Sequence, residues 1–177
     1  MRQVEDFSVF YYYGYSEIRE LILSKHHEYG AAVLARIASL SLAKFPLHLR
    51  REISANPQNY EAFKTDGIFK FNAVPLDDDA RSGYSHTAIL ARALKSELVE
   101  PKFHCLRAQN RVKYTGQSLE FRLKHKRNFK ILTPPQFPVI MVDDIITSGL
   151  SMLQARESLI DGGFMPVCGL VLANAKE

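Results

Sequence analysis

The chemistry of this chain concentrates between Val139 and Ser151, VIMVDDIITSGLS. Four apolar residues, Val139 to Val142, predict a short strand buried on both faces, as in a parallel sheet. Two acids follow, Asp143 and Asp144, and then Ile145 and Ile146. Thr147, Ser148 and Gly149 form a turn before a helix predicted over Leu150 to Leu159. Ligands of open α/β sheets bind outside the carboxyl ends of the strands. A helix N-terminus offers free N–H groups and a favourable dipole to an anion. Thr147 and Ser148 add hydroxyl donors, and Gly149 lets backbone approach closely, so the turn suits a phosphate. The acids would repel that phosphate and suit instead a neutral diol or a magnesium ion. Diol beside monophosphate describes a ribose 5-phosphate. An acid pair that merely caps a βα turn is the competing explanation. A receiver domain also carries paired acids after an apolar strand, but only 33 residues follow Asp144, too few for it. The absence of G-x-x-x-x-G-K-[ST] argues against a P-loop NTPase.

The elements that must position this segment follow from periodicity. Phe7 to Tyr15 predicts a strand or hairpin. A helix follows with Ser16 as N-cap and Ile18, Leu21 and Ile22 as its apolar stripe. Ala31 to Lys44 predicts a second helix, and 45–66 a loop with room for a short helix. Beyond Gly67, strands are expected at Ile68 to Val74, Lys102 to Leu106, Phe129 to Leu132 and Val167 to Leu172. His86 to Leu98 predicts an amphipathic helix. Strands alternating with helices indicate an α/β fold with a parallel sheet. The expected organisation is a strand and helical appendage over 1–66 and a core over 67–177, in one compact unit.

The 177 residues suffice for one full core, and 46% hydrophobic with 24% charged residues excludes disordered and fibrous classes. Cys105 and Cys168 form no Cys-x-x-Cys, which leaves neither zinc ribbon nor disulfide framework. No signal-peptide pattern opens the chain, and the apolar stretch Ala31 to Leu42 is broken by Arg36. The expectation is a soluble cytoplasmic protein without membrane insertion. Net charge is +4, yet residues 101–130 carry nine basic residues against one acid. Such a segment attracts phosphate or nucleic acid, or is simply a solvated surface.

VIMVDDIITSGLS resembles the phosphoribosyl pyrophosphate (PRPP) motif of type I phosphoribosyltransferases. Four further stretches are similar to the ComF family of competence-associated, phosphoribosyltransferase-like proteins. They are Phe10 to Gly30, Val74-Pro75-Leu76, Gly83-Tyr84-Ser85-His86 with Leu90-Ala91-Arg92, and the series Leu106-Arg107, Thr115, Gln117, Leu119, Arg122 and Asn128. The resemblance implies a type I phosphoribosyltransferase-like core. It places the ribose hydroxyls on Asp143 and Asp144, the 5-phosphate along Ile146, Thr147, Ser148, Gly149, Leu150 and Ser151, and Ile145 among the PRPP-binding residues. Pro75, Leu76 and Arg81 would meet the pyrophosphate, with Arg107, Arg111 and Lys113 neutralising it. Magnesium would arrive with PRPP and no ligand set for it is assigned to the protein. The family's zinc ribbon is missing, so no zinc is expected. Asp77-Asp78-Asp79 stands where relatives carry His and basic residues, and Ser82 where an Arg precedes the Gly.

Two function classes remain. In one the protein transfers phosphoribosyl to an unidentified acceptor, and the basic stretch closes over the site as a lid. In the other, as the resemblance to the ComF family implies, it handles single-stranded DNA in natural transformation, alongside competence-machinery proteins, with PRPP as a regulatory ligand. Arg122, Lys124, Lys126, Arg127 and Lys130 would then contact nucleic acid, and Phe121, Phe129 and Tyr11-Tyr12-Tyr13 could stack on bases. Core packing is the competing account of the tyrosine run.

Overall fold

The computed structural model describes residues 1–77, 80, 83–110 and 127–176. Its first half forms β1 (Arg2–Val4), β2 (Phe7–Gly14), α1 (Tyr15–Leu23), α2 (Gly30–Leu40), α3 (Phe45–Ala55), β3 (Lys64–Thr65), β4 (Ile68–Phe69) and β5 (Phe71–Pro75). There follow α4 (His86–Arg92), β6 (Val99–Pro101), β7 (Leu106–Ala108), β8 (Phe129–Ile131), β9 (Val139–Ile146), α5 (Leu150–Asp161) and β10 (Pro166–Asn174).

A six-stranded sheet in the order β1-β2-β10-β9-β5-β6 organises the fold. All its pairings are parallel except β1 on β2. The coarse expectation of an α/β fold with a largely parallel, helix-flanked sheet is met. Strand β5 and the first four residues of β9, Val139 to Val142, are buried, and all but Asn72 are apolar, because both sheet faces are covered. On one face α1 to α4 bring Ile22, Leu34, Ile53 and Leu90 against Ile140 and Leu170. On the other, α5 and the β7–β8 ribbon bring Met152, Leu159, Leu106 and Phe129 against Met141 and Val171. Each such side chain contributes about 2 kcal/mol when removed from water.

The order places a topological switch at the centre. The connection after β9 returns to β10 on one side, while that after β5 returns to β6 on the other. A crevice therefore opens between the carboxyl ends of β9 and β5, where ligands of such sheets bind. The first 66 residues supply β1, β2 and three helices to this same assembly; β2 pairs parallel with β10.

Several local expectations are corrected. Residues 45–55 are helical, with Pro46 in the first turn, a position that tolerates its missing N–H. The helix from His86 ends at Arg92, well short of Leu98. No strand runs from Lys102 to Leu106: His104 takes φ +55, so the chain turns between β6 and β7. Gly14, not Ser16, holds the N-cap position of α1, and its amide donates to the Glu17 carboxylate at 2.5 Å. The run Gly30–Ala55 is long and apolar enough by composition to cross a membrane. Its helix breaks at Ser41 (φ −122°, ψ −79°), and Leu34, Ile37, Leu42 and Ile53 are buried in the core.

Candidate functional site at the carboxyl ends of β5 and β9

Strand β9 runs through the two acids rather than ending before them. Its ladder with β10 continues through Asp143 opposite Val171 to Ile146 opposite Asn174. Successive residues of a strand face opposite sides. Asp143 shares a face with Met141 and Val171, and Asp144 shares the other with Val142 and Leu172. The expectation that both carboxylates grip one diol is therefore not met in this arrangement.

Asp144 is buried at 6% exposure and turned into protein. Its Oδ2 accepts from Lys25 Nζ at 2.5 Å and lies 3.7 Å from His86 Nε2. Burial alone would push this carboxyl up, but Lys25 and His86 outweigh burial and hold it below the usual range. For Lys25 burial would lower the ammonium, yet the Asp144 charge raises it. His86 is held below the ordinary imidazole value by burial, with Asp144 pulling the other way. Lys25 sits in the 3-10 turn Ser24–His26 after α1, and its carbonyl accepts from the Tyr84 hydroxyl at 2.9 Å. Gly30 makes this crossing possible. A Cβ there would lie 2.1 Å from the Ser24 carbonyl oxygen and 2.4 Å from the Tyr84 hydroxyl. His86 opens α4, which Ser85 caps by accepting from the Ala88 amide at 3.1 Å.

Asp143 has the opposite fate. It is half-buried, and its Oδ1 accepts from the Asp144 amide at 2.9 Å. Burial first, and the Asp144 charge second, push its carboxyl up to about 7. Arg127 and Lys25 pull it the other way. Asp143 lines a small pocket together with Ile145, Ile146 and the turn Thr147 to Met152.

That turn has the backbone an anion site requires. Gly149 adopts φ +87°, and a Cβ there would meet Val4 Cγ1 at 2.5 Å, so glycine is required twice over. Helix α5 starts without a side-chain cap at Gly149, and its first N–H groups have no intrahelical partners. The Ser148 hydroxyl accepts from the Leu150 amide at 3.4 Å. Arg2 braces the turn from β1, donating to the Thr147 carbonyl at 2.7 Å and to Asn174 Oδ1 at 3.1 Å.

Across the crevice, the Leu76 amide donates to the Val142 carbonyl at 2.9 Å. Pro75 and Leu76 are buried, which leaves backbone as what they offer a ligand. Asp77 turns left-handed (φ +48°), and its Oδ1 accepts from the Ala108 amide at 3.3 Å. This contact ties the β7–β8 ribbon, with Arg107 opposite Lys130, to the end of β5. Arg127 precedes β8 and donates its amide to Gln154 Oε1 at 2.9 Å. Asp78, Asp79, Arg81, Ser82, Arg111, Lys113, Thr115, Gln117, Leu119, Phe121, Arg122, Lys124 and Lys126 lie outside the described residues, and so does most of the expected lid.

The structure brings Asp143 and Ile145 to Ser151 to one pocket, with the end of β5 paired alongside β9. Around Asp144 and the turn it sets residues that local sequence reading did not assign to the site. Lys25, His86, Tyr84 and Arg2 join from 119, 58, 60 and 142 or more positions away in the chain. Only the stray polar residues Lys25 and His86 beside apolar helix faces hinted at a buried partner. Among the described residues no three His, Cys, Asp or Glu side chains gather as a metal site. No protein-family model matches this chain, and no curated protein matches it in sequence.

Proposed function

We propose that the chain binds PRPP, as a phosphoribosyltransferase-like protein of the ComF type, and transfers phosphoribosyl to an acceptor. The observation that carries this reading is the uncapped, left-handed Gly149 turn beside a half-buried carboxylate at the topological switch of a parallel sheet. The 5-phosphate takes the free amides of the turn, where the helix dipole favours an anion. Asp143 accepts from the ribose hydroxyls. Asp144 keeps Lys25 and His86 in place and acts on the sugar indirectly. Magnesium arriving with PRPP would neutralise the pyrophosphate, and Arg107 and Arg127 would contribute further positive charge.

Displacement at C1 of the sugar breaks the bond to pyrophosphate, which leaves with the electron pair as the acceptor bonds to C1. Positive charge develops on the sugar and negative charge on the leaving group, so positioning and preorganised charge carry the catalysis. A cytoplasmic location belongs to the same proposal.

Thermal shift with magnesium and a graded ligand series tests it. PRPP should raise the midpoint most, ribose 5-phosphate less, inorganic phosphate less again, and ribose not at all. Equal shifts for PRPP and inorganic phosphate would remove the sugar from the reading. The alternative, a single-stranded-DNA module regulated by PRPP, predicts DNA affinity that falls steeply with salt.

A further inference from the structure

A second cavity, about 710 Å³, lies on the α1–α4 face of the sheet, towards the amino-terminal end of β10. That volume is in the range of small-molecule sites. It is far along the strands from the Gly149 turn, since its β10 residues are Val167 and Cys168 whereas the turn adjoins Asn174. Phe10, Tyr12, Phe45, Tyr60 and Phe63 form its walls, all only partly buried. The tyrosine run packs against the two core clusters, as the core-packing account expects, and Tyr11 and Tyr12 also line the cavity. Phe10 meets Phe45 at 57° and Tyr60 meets Phe63 at 61°, so neither pair stacks face to face.

The polar groups are few. Glu52 is exposed at the rim, next to His48 and Asn59. Glu52 is close enough to Tyr60 for its charge to hold that phenol's proton on more tightly, after burial, the larger cause. No Lys or Arg stands among the described lining residues. Ring faces carry negative quadrupole density and attract cations, and a carboxylate at the mouth adds to this. In a protein of net charge +4, an aromatic box with one acid at its edge selects by charge.

We infer that this cavity is a binding site for an organic cation with an aromatic or alkyl body, its ammonium held between the ring faces and Glu52. The inference stands apart from PRPP binding.

Three matched indoles test it on the full chain by 1H–15N NMR: tryptamine, the neutral tryptophol and the anionic indole-3-acetate. Tryptamine should move amides of β2 and α3 saturably and bind roughly tenfold tighter than tryptophol, with indole-3-acetate weakest. Glu52→Gln, an exposed change, should bring tryptamine down to the level of tryptophol. Tyr60→Ala should weaken both. Resonances of Thr147 to Ser151 should stay put, whatever PRPP does there. Equal affinity for the three indoles, an unchanged preference in Glu52→Gln, or no saturable shift in β2 and α3 would each overturn the inference.

Discussion

The two faces of β9 at its carboxyl end differ more than their sequence suggests. On one face Asp144 is enclosed, paired with Lys25 and approached by His86. On the other Asp143 borders the open turn, and its carboxyl is pushed up to about 7. Adjacent residues of one type thus stand in different surroundings. The compensated acid ties α1 and α4 to the sheet through Lys25 and His86; the other borders the open pocket and is the one the proposed ligand would meet. A close cationic partner, present for Asp144 and lacking so close for Asp143 among the described residues, makes the distinction, since burial raises both carboxyls.

The largest way to break this comparison is to strip Asp144 of its partner. Lys25→Ala leaves a buried carboxylate unpaired and should cost about 3–5 kcal/mol in denaturant unfolding. Lys25→Ala with Asp144→Asn should recover part of that loss, since the stranded charge goes too. Equal losses in the single and double variants would mean the pair is not the source. Gly149→Ala comes next. A non-glycine residue at φ +87° and in contact with Val4 should cost about 1–3 kcal/mol and remove the phosphate response of the turn.

pH separates the two acids by sign. The folded-state carboxyl of Asp143 titrates near 7, above its unfolded value, so its favourable contribution is full below about pH 4 and lost as pH rises to 7. Asp144, held low, contributes above about pH 4 and loses that contribution on acidification. Asp143→Asn should therefore make the protein more stable at pH 8 relative to pH 5 than wild type is. Unfolding curves at the two pH values check this, and an unchanged pH dependence would contradict the assignment. The smallest effect belongs to the exposed pair Arg50–Glu97, where Arg50→Ala should cost no more than about 1 kcal/mol. A loss as large as that of Lys25→Ala would erase the contrast between buried and solvated pairs.

What the sequence made legible was local. Val139 to Val142, the Gly149 turn and the helix after it were readable because apolar runs, glycine and spacing are short-range signals. Helix α3 was hidden by Pro46 and by the exposed polar side chains of Arg50, Arg51 and Glu52, which mask its buried Ile53. Asp143 and Asp144 read as the end of a strand because acids rarely sit in a buried ladder. Only the partner strand, running to Asn174, keeps them in it. The Lys25–Asp144 pair spans 119 positions, and no spacing rule reaches that far. Opposite orientation of the two acids follows from strand alternation, and was missed because the strand was read as ending at Val142.

Calorimetric titration of PRPP with magnesium into the wild-type chain and Asp143→Asn tests the central claim most directly. A ligand seated on the Gly149 turn with its sugar on Asp143 requires saturable one-to-one binding by the wild type. The variant, still folded, should bind about tenfold more weakly or worse, the scale of a lost hydrogen bond to a charged group. Absence of saturable heat in the wild type, or equal affinity in the two proteins, would contradict it.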